Sequence, residues 1–162
     1  MVSTFGYVLY LKNFDSETSA TDVYALSNIS VNINTFKEHE HRLPKEKDFY
    51  LSGFLNDSQY FKIKDGKKVF NPIFDSNFKL IDNDLSLSFN YTKNYDEKSF
   101  IETGEAYRSC LNLPLRLNEN NNFQKIKISI NGKEVDYKKA TKESMKNICY
   151  FGKINNYQIT FF

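Results

Sequence analysis

In Leu85-Ser86-Leu87-Ser88-Phe89-Asn90-Tyr91 every second residue is apolar and those between are small and polar. Successive side chains of a strand point to opposite faces, so this alternation describes a strand with one buried and one wet face. The pattern recurs in Ile29-Ser30-Val31-Asn32-Ile33 and Ile126-Lys127-Ile128-Ser129-Ile130. The last of these runs through Asn131-Gly132 into Lys133-Glu134-Val135-Asp136-Tyr137, a hairpin whose turn dipeptide tolerates the positive φ of a type I′ turn. Tyr60 to Lys64, Asp65-Gly66 and Lys67 to Phe70 form a second hairpin by the same logic, and a third turns at Asp82-Asn83-Asp84.

Further strands are expected at Gly6 to Lys12, Phe49 to Leu55, Phe78 to Ile81, Cys110 to Leu117 and Tyr157 to Phe161. Helical signals are confined to Thr18 to Leu26 and Lys138 to Asn147, the latter placing Ala140, Ser144 and Ile148 on one face. About nine or ten short strands at roughly 10-residue spacing predict a mainly β fold. The expected form is a single antiparallel β-sandwich or barrel-like domain, jelly-roll-like among the options, with one or two short helices. The polar run Asn118 to Asn122 is the expected flexible loop, and no Gly/Ser/Pro-rich tract divides the chain.

A chain of 162 residues, 40% hydrophobic and 26% charged, suits one domain over 1–162 with a single core. With 15 Phe, 11 Tyr and no Trp, that core is built on phenyl rings. The richness in Asn, Lys, Phe, Tyr and Ile is the usage of an AT-rich genome, hence a bacterium, a phage or a virus. Residues 1–81 carry 10 basic and 10 acidic groups and residues 82–162 carry 12 and 10, so neither half is a polyelectrolyte. Lys outnumbers Arg by 19 to 3, which disfavours nucleic acid as a partner, because bidentate phosphate and base recognition prefers the guanidinium fork. The local excess of Lys from Lys125 to Lys153 reads as a solvated face.

The apolar run Phe5 to Leu11 has no basic residues before it and is ended by Lys12 and Asn13, and no stretch has the length of a membrane span. The expectation is a soluble cytoplasmic protein, or one exported by a route needing no N-terminal signal. The triplets at Asn28, Asn56 and Asn90 match the glycosylation pattern but are discounted for the same reason. Cys110 and Cys149 lack CxxC spacing and read as two buried thiols of a reducing compartment. A disulfide between them is the alternative for a mature, exported form, and the sequence leaves the pairing open.

Both histidines lie in Glu38-His39-Glu40-His41-Arg42-Leu43-Pro44-Lys45-Glu46. On a strand, residues two apart share a face and can offer two imidazoles to one metal. With Glu46 and Gly53, the pair has the spacing of the first motif of the cupin family, and the stretch resembles that motif over about 15 residues. The resemblance implies a jelly-roll barrel and a metal held by His39, His41 and Glu46. It departs from the family where a glycine is due at Ile33, in lacking the second motif, and in having no third histidine. The mixed-charge context with a proline therefore reads as an exposed surface loop, with no metal and no cofactor.

No GxSxG, phosphate-cradling glycine loop or CxxC is present. The expected function is thus a non-catalytic protein-binding domain, such as an inhibitor, an immunity protein or an accessory subunit of an assembly. The apolar C-terminal residues Phe161 and Phe162 are the candidate partner contacts, since aromatic anchors dominate interfaces. The alternatives are a cupin-like metal-dependent enzyme or metal binder using His39, His41 and Glu46, and an apolar-ligand or lipid carrier with aromatics lining a cavity.

Overall fold

The computed structural model describes residues 4–123 and 125–162, with the side chains of 21–123 and 125–162. Helix α1 spans Thr4–Glu40 and α2 spans Glu46–Leu51, followed by a short 3₁₀ turn at Ser58–Tyr60. Strands β1 (Phe61–Lys64), β2 (Lys67–Phe70), β3 (Ser76–Asp82) and β4 (Leu87–Lys93) lead to α3 (Phe100–Glu119). Strands β5 (Ile126–Ile130) and β6 (Lys133–Val135), the short α4 (Lys142–Met145) and β7 (Asn156–Phe161) complete the order.

The antiparallel β architecture is present as a five-stranded sheet in the order β3-β4-β7-β5-β6 and a separate β1-β2 hairpin. The large sheet does not close into a barrel. Helical residues accompany the strands in quantity, because a helical layer stands where a sandwich would have its second sheet. The apolar face of the sheet, carrying Leu87, Phe89, Tyr91, Ile128, Ile130, Tyr157, Ile159 and Phe161, is buried in one cluster with α1 and α3. The other face carries Asn77, Lys79, Asn90, Thr92, Ser129 and Gln158, the polar half of the alternation.

Several expected strands are helical, and the reason lies in windows longer than the ones that suggested them. In α1 the buried residues Val23, Leu26, Ile29, Ile33 and Phe36 recur at three- and four-residue steps, the period of one helix face. No Gly or Pro interrupts the chain from Tyr7 to Arg42, so nothing stops the helix from running through the expected strands Gly6 to Lys12 and Ile29 to Ile33. It ends where His41 takes φ 54° and donates its N–H to the Lys37 carbonyl at 2.9 Å, shortly before Pro44.

The expected strand Cys110 to Leu117 lies inside α3, whose buried Thr103, Cys110, Leu113, Pro114 and Leu117 again follow helical spacing. Ser99 caps α3, its hydroxyl accepting from the Glu102 N–H at 3.3 Å. The expected strand Phe49 to Leu55 is instead the second half of α2 and the turn after it.

The hairpins follow their turn residues. Asp65 and Gly66 have φ of 51° and 71°, and Asn131 and Gly132 have 53° and 78°, the left-handed pair that a type I′ turn requires. The third turn is organised by Asn83, whose side-chain oxygen accepts from the N–H groups of Leu85 and Ser86 at 2.8 and 2.7 Å. Leu85 thereby stands in the turn, and β4 begins two residues later than the alternation indicated.

The run Asn118 to Asn122, expected to be a flexible loop, is a docking point. Ser27 donates to Asn120 Oδ1 at 3.3 Å, Ser30 donates to the Asn122 carbonyl at 2.8 Å, and Asn122 Nδ2 donates to Ser27 Oγ at 2.7 Å. The end of α3 is thus tied to α1. The β1-β2 hairpin joins the same core through Phe70, whose ring lies 4.3 Å from that of Phe49 and 6.2 Å from that of Phe89. The rings of Phe49, Phe70, Phe78 and Phe89 pack together between hairpin and sheet.

Candidate functional site

The histidine segment is the C-terminus of α1 and its exit. His39 stacks on Phe54 at a ring separation of 4.5 Å, and both histidines are exposed. His39 lies in the last turn of α1 and His41 just past its end at φ 54°, so the shared face that a strand would provide is lost. Glu46 opens α2, its N–H donating to Asp82 Oδ2 at 2.6 Å. Among the described residues no three His, Cys, Asp or Glu side chains gather closely enough to hold a metal ion.

Asp48, a residue the sequence did not single out, organises this corner. Arg42 donates to both of its oxygens, at 2.7 and 3.0 Å, and the Lys45 N–H adds a third bond at 2.7 Å. The Arg42 hydrogen bonds, more than any other influence, hold the Asp48 carboxyl below the usual carboxylate range.

Phe161 and Phe162 separate. Phe161, only 3% exposed, sits in β7 with its ring 5.4 Å from Phe89, inside the core. Phe162 is 41% exposed; its backbone oxygen accepts from Lys37 Nζ at 2.6 Å, and Lys127 Nζ lies 5.8 Å from its ring centroid. The apolar final strand is explained by its place in the middle of the sheet, between β4 and β5.

Four of the lysines from Lys125 to Lys153 contact neighbours within that segment. Lys139 pairs with Asp136 at 3.8 Å and Lys146 with Glu143 at 2.8 Å, while Lys133 donates to the Asn147 carbonyl and Lys153 lies near the Tyr150 ring.

The structural features that sequence reasoning missed are grouped around α3. Cys110, in its buried face, forms a disulfide with Cys149, correcting the expectation of two separate thiols. A spacing of 39 residues says nothing about pairing, which requires Cα atoms within roughly 7 Å, here 5.8 Å. The bond holds the segment after α4 against α3, and Asn155 fixes that segment from its other side. Asn155 Oδ1 accepts from the Tyr150 N–H at 2.7 Å and from Asn131 Nδ2 at 2.8 Å.

Beside the disulfide, Phe100, Ile101, Gly104, Tyr107, Arg108, Leu111 and Phe151 line an apolar groove of about 280 Å³. Phe100 is 72% exposed, and the Tyr107 and Phe151 rings meet edge to face at 5.6 Å. The i, i+4, i+7, i+11 spacing of Phe100, Gly104, Tyr107 and Leu111, preceded by Ser99-x-x-Glu102, was a readable helix signal.

On the other side of α3 lies a second cleft, of about 310 Å³, bounded by Phe74 and Asp75, by Lys93 to Tyr95, by Glu102, Glu105, Ala106 and Ser109, and by Asn155 and Tyr157. Behind it the Tyr91 and Tyr157 rings stack at 5.0 Å, and Lys93 pairs with the buried Asp22 at 2.8 Å. Burial raises the Asp22 carboxyl above its ordinary range despite the opposing pull of Lys93. Burial likewise pushes up the phenols of Tyr91 and Tyr157, and that of Tyr95 at the cleft, so all three remain protonated at neutral pH. Compared with known proteins, the chain matches no family model, no curated protein and no solved structure.

Proposed function

We propose that the chain is a non-catalytic protein-binding domain, an inhibitor, immunity protein or accessory subunit, whose partner seats on the outer face of α3. The observation that carries this reading is the apolar groove between Phe100, Tyr107, Leu111 and Phe151. Apolar side chains of this size, held half out of water on a cross-linked scaffold, are the anchors from which interface hot spots are built. Arg108 at the groove edge has no hydrogen-bond or ion-pair partner among the described residues, so the fitting occupant is an apolar side chain of the partner flanked by a carboxylate. A stable complex buries on the order of 1,600 Å² in total. The Cys110–Cys149 disulfide supports operation in an oxidising compartment rather than the cytoplasm.

The test is affinity capture from the source organism with the wild-type chain, Phe100→Asp/Phe151→Asp and, as a control, Phe162→Asp. Circular dichroism should confirm that all three are folded. A partner retained by wild type and by the control but lost by the double variant supports the reading. Capture that is indifferent to the double variant removes the groove from the interface.

A further inference from the structure

The cleft on the side of α3 opposite the apolar groove contains hydroxyl groups that the fold leaves unused. Ser109 is 8% exposed, yet its Oγ is buried without a hydrogen-bond partner, and the Tyr95 hydroxyl is in the same condition. Both residues line the cleft. A buried hydroxyl without a partner is costly, and natural proteins keep few of them without a ligand or a water to satisfy them.

The walls are built in advance. Asn71, itself buried, accepts from the Ile73 N–H at 3.2 Å and donates to the Ser76 carbonyl at 3.2 Å, shaping the turn that presents Phe74 and Asp75. The Asn94 N–H donates to the Asp75 carbonyl at 3.1 Å, tying that turn to the β4–α3 connection.

Charge selects the ligand. Lys93, the cation in the lining, is committed to Asp22 at 2.8 Å. At the rim stand the carboxylates of Asp75 and Glu102; one oxygen of Glu102 accepts from the Asp96 N–H at 2.5 Å, which leaves the other for a new donor. Phe74, Tyr95 and Tyr157 add aromatic rings, whose faces attract cations. An anion would meet the carboxylates of Asp75, Glu102 and Glu105 and a neutralised lysine, whereas a primary ammonium brings donors for the two idle hydroxyls into a cleft lined by carboxylates.

We propose that this cleft is a binding site for a primary ammonium group, with Ser109 Oγ and the Tyr95 hydroxyl as its acceptors and the carboxylates of Asp75 and Glu102 at the rim supplying the attracting charge. A volume of about 310 Å³ is at the small end of ligand pockets, sized for a short amine. The ammonium belongs either to a free small amine or to a lysine side chain of a protein partner. The site lies on a different face of α3 from the groove of the proposed protein interface, and its test does not depend on that interface.

The experiment follows backbone amide shifts of the isotopically labelled full chain during titration with n-butylammonium, 1-butanol and butyrate. Two peptides complete the series: acetyl-Ala-Lys-Ala-amide and its norleucine counterpart. Saturable shifts clustered at Tyr95, Glu102 and Ser109 with n-butylammonium, absent with 1-butanol and butyrate, are expected. Ser109→Ala should weaken binding by about tenfold, as for loss of a hydrogen bond to a charged group, and Glu102→Gln should weaken it less, through lost charge attraction alone. Tighter binding of the lysine peptide than of butylammonium assigns the site to a partner's lysine, and the reverse order assigns it to a free amine.

Without any probe, Ser109→Ala should unfold at the same temperature as wild type or higher, because the hydroxyl it removes has no partner. Absence of saturation by both amine probes, or equal response to butylammonium and 1-butanol, overturns the proposal. A lowered unfolding temperature in Ser109→Ala also overturns it, since Ser109 would then be a structural residue.

Discussion

Strand β4 and the middle of α1 carry nearly the same pattern and fold oppositely. Leu87, Phe89 and Tyr91 alternate with Ser88 and Asn90, and all three point into the core. Ile29, Val31 and Ile33 alternate with Ser30 and Asn32, but Ile29, Ser30 and Ile33 are buried while Val31 is 44% exposed. A five-residue alternation is compatible with either state, and the flanks decide. Asn83 and its turn cut off the β4 run on one side, whereas Val23, Leu26 and Phe36 extend the α1 run at helical intervals. Ser30, which looked like the wet side of a strand, donates instead to the Asn122 carbonyl in the helical layer.

The largest expected effects test this contrast directly. Lysine substitution at Leu87, Phe89 or Tyr91 should each cost about 3 to 5 kcal/mol, as for a charge buried without a partner. The same change at Ile29 or Ile33 should cost as much, but Val31→Lys should stay within about 0.5 kcal/mol. Urea midpoints read all six variants. Equal damage at Ile29, Val31 and Ile33 would mean that this segment pairs as a strand, and the helical account of α1 would fail.

Next in size is the disulfide, which ties the helical layer to the segment after α4. A cross-link over 39 residues stabilises by about 4 kcal/mol in the chain-entropy account. Cys110→Ser/Cys149→Ser should lose roughly that much. In hydrogen exchange, α3 and residues 145–155 should lose protection before β4 and β7. Uniform loss of protection would show that helices and sheet open as one unit, which would erase the distinction between the two layers.

Acid should separate the two regions by sign. The Asp48 carboxyl is lowered by Arg42, so its contribution is present above the unfolded pKa of about 3.9 and is lost as pH falls through the folded value. The Asp22 carboxyl, packed between α1 and the sheet, is raised by burial. Its contribution is therefore fully present below about 3.9 and is lost as pH rises through the raised value. Asp48→Asn should flatten the fall of stability on acidification, and Asp22→Asn should steepen it, in urea melts recorded from neutral to acid pH. Matching slopes for the two variants would contradict the burial difference between the sites.

The smallest effect is expected at the histidines. His39→Ala/His41→Ala should change stability by no more than about 0.5 kcal/mol, since both are exposed and His39 loses only its stacking on Phe54. A metal stoichiometry in the purified protein that disappears in this variant would restore the cupin-like alternative.

The sequence by itself determined what local physics decides. Asp65-Gly66 and Asn131-Gly132 had to turn with positive φ, and the strands beside them had to pair antiparallel in the register those turns impose. Ser99 and Glu102 likewise held a legible start for α3, together with the apolar stripe from Phe100 to Leu111. Tertiary structure decided the rest, because the deciding contacts join residues far apart in the chain. It placed β7 between β4 and β5, which buried Phe161 and left Phe162 outside. It brought Cys110 to Cys149, and it assembled the cleft at Ser109 from four separate segments. It also made a helix of Ile29 to Ile33, since an alternation that either state can hold is resolved only by the surface it is packed against.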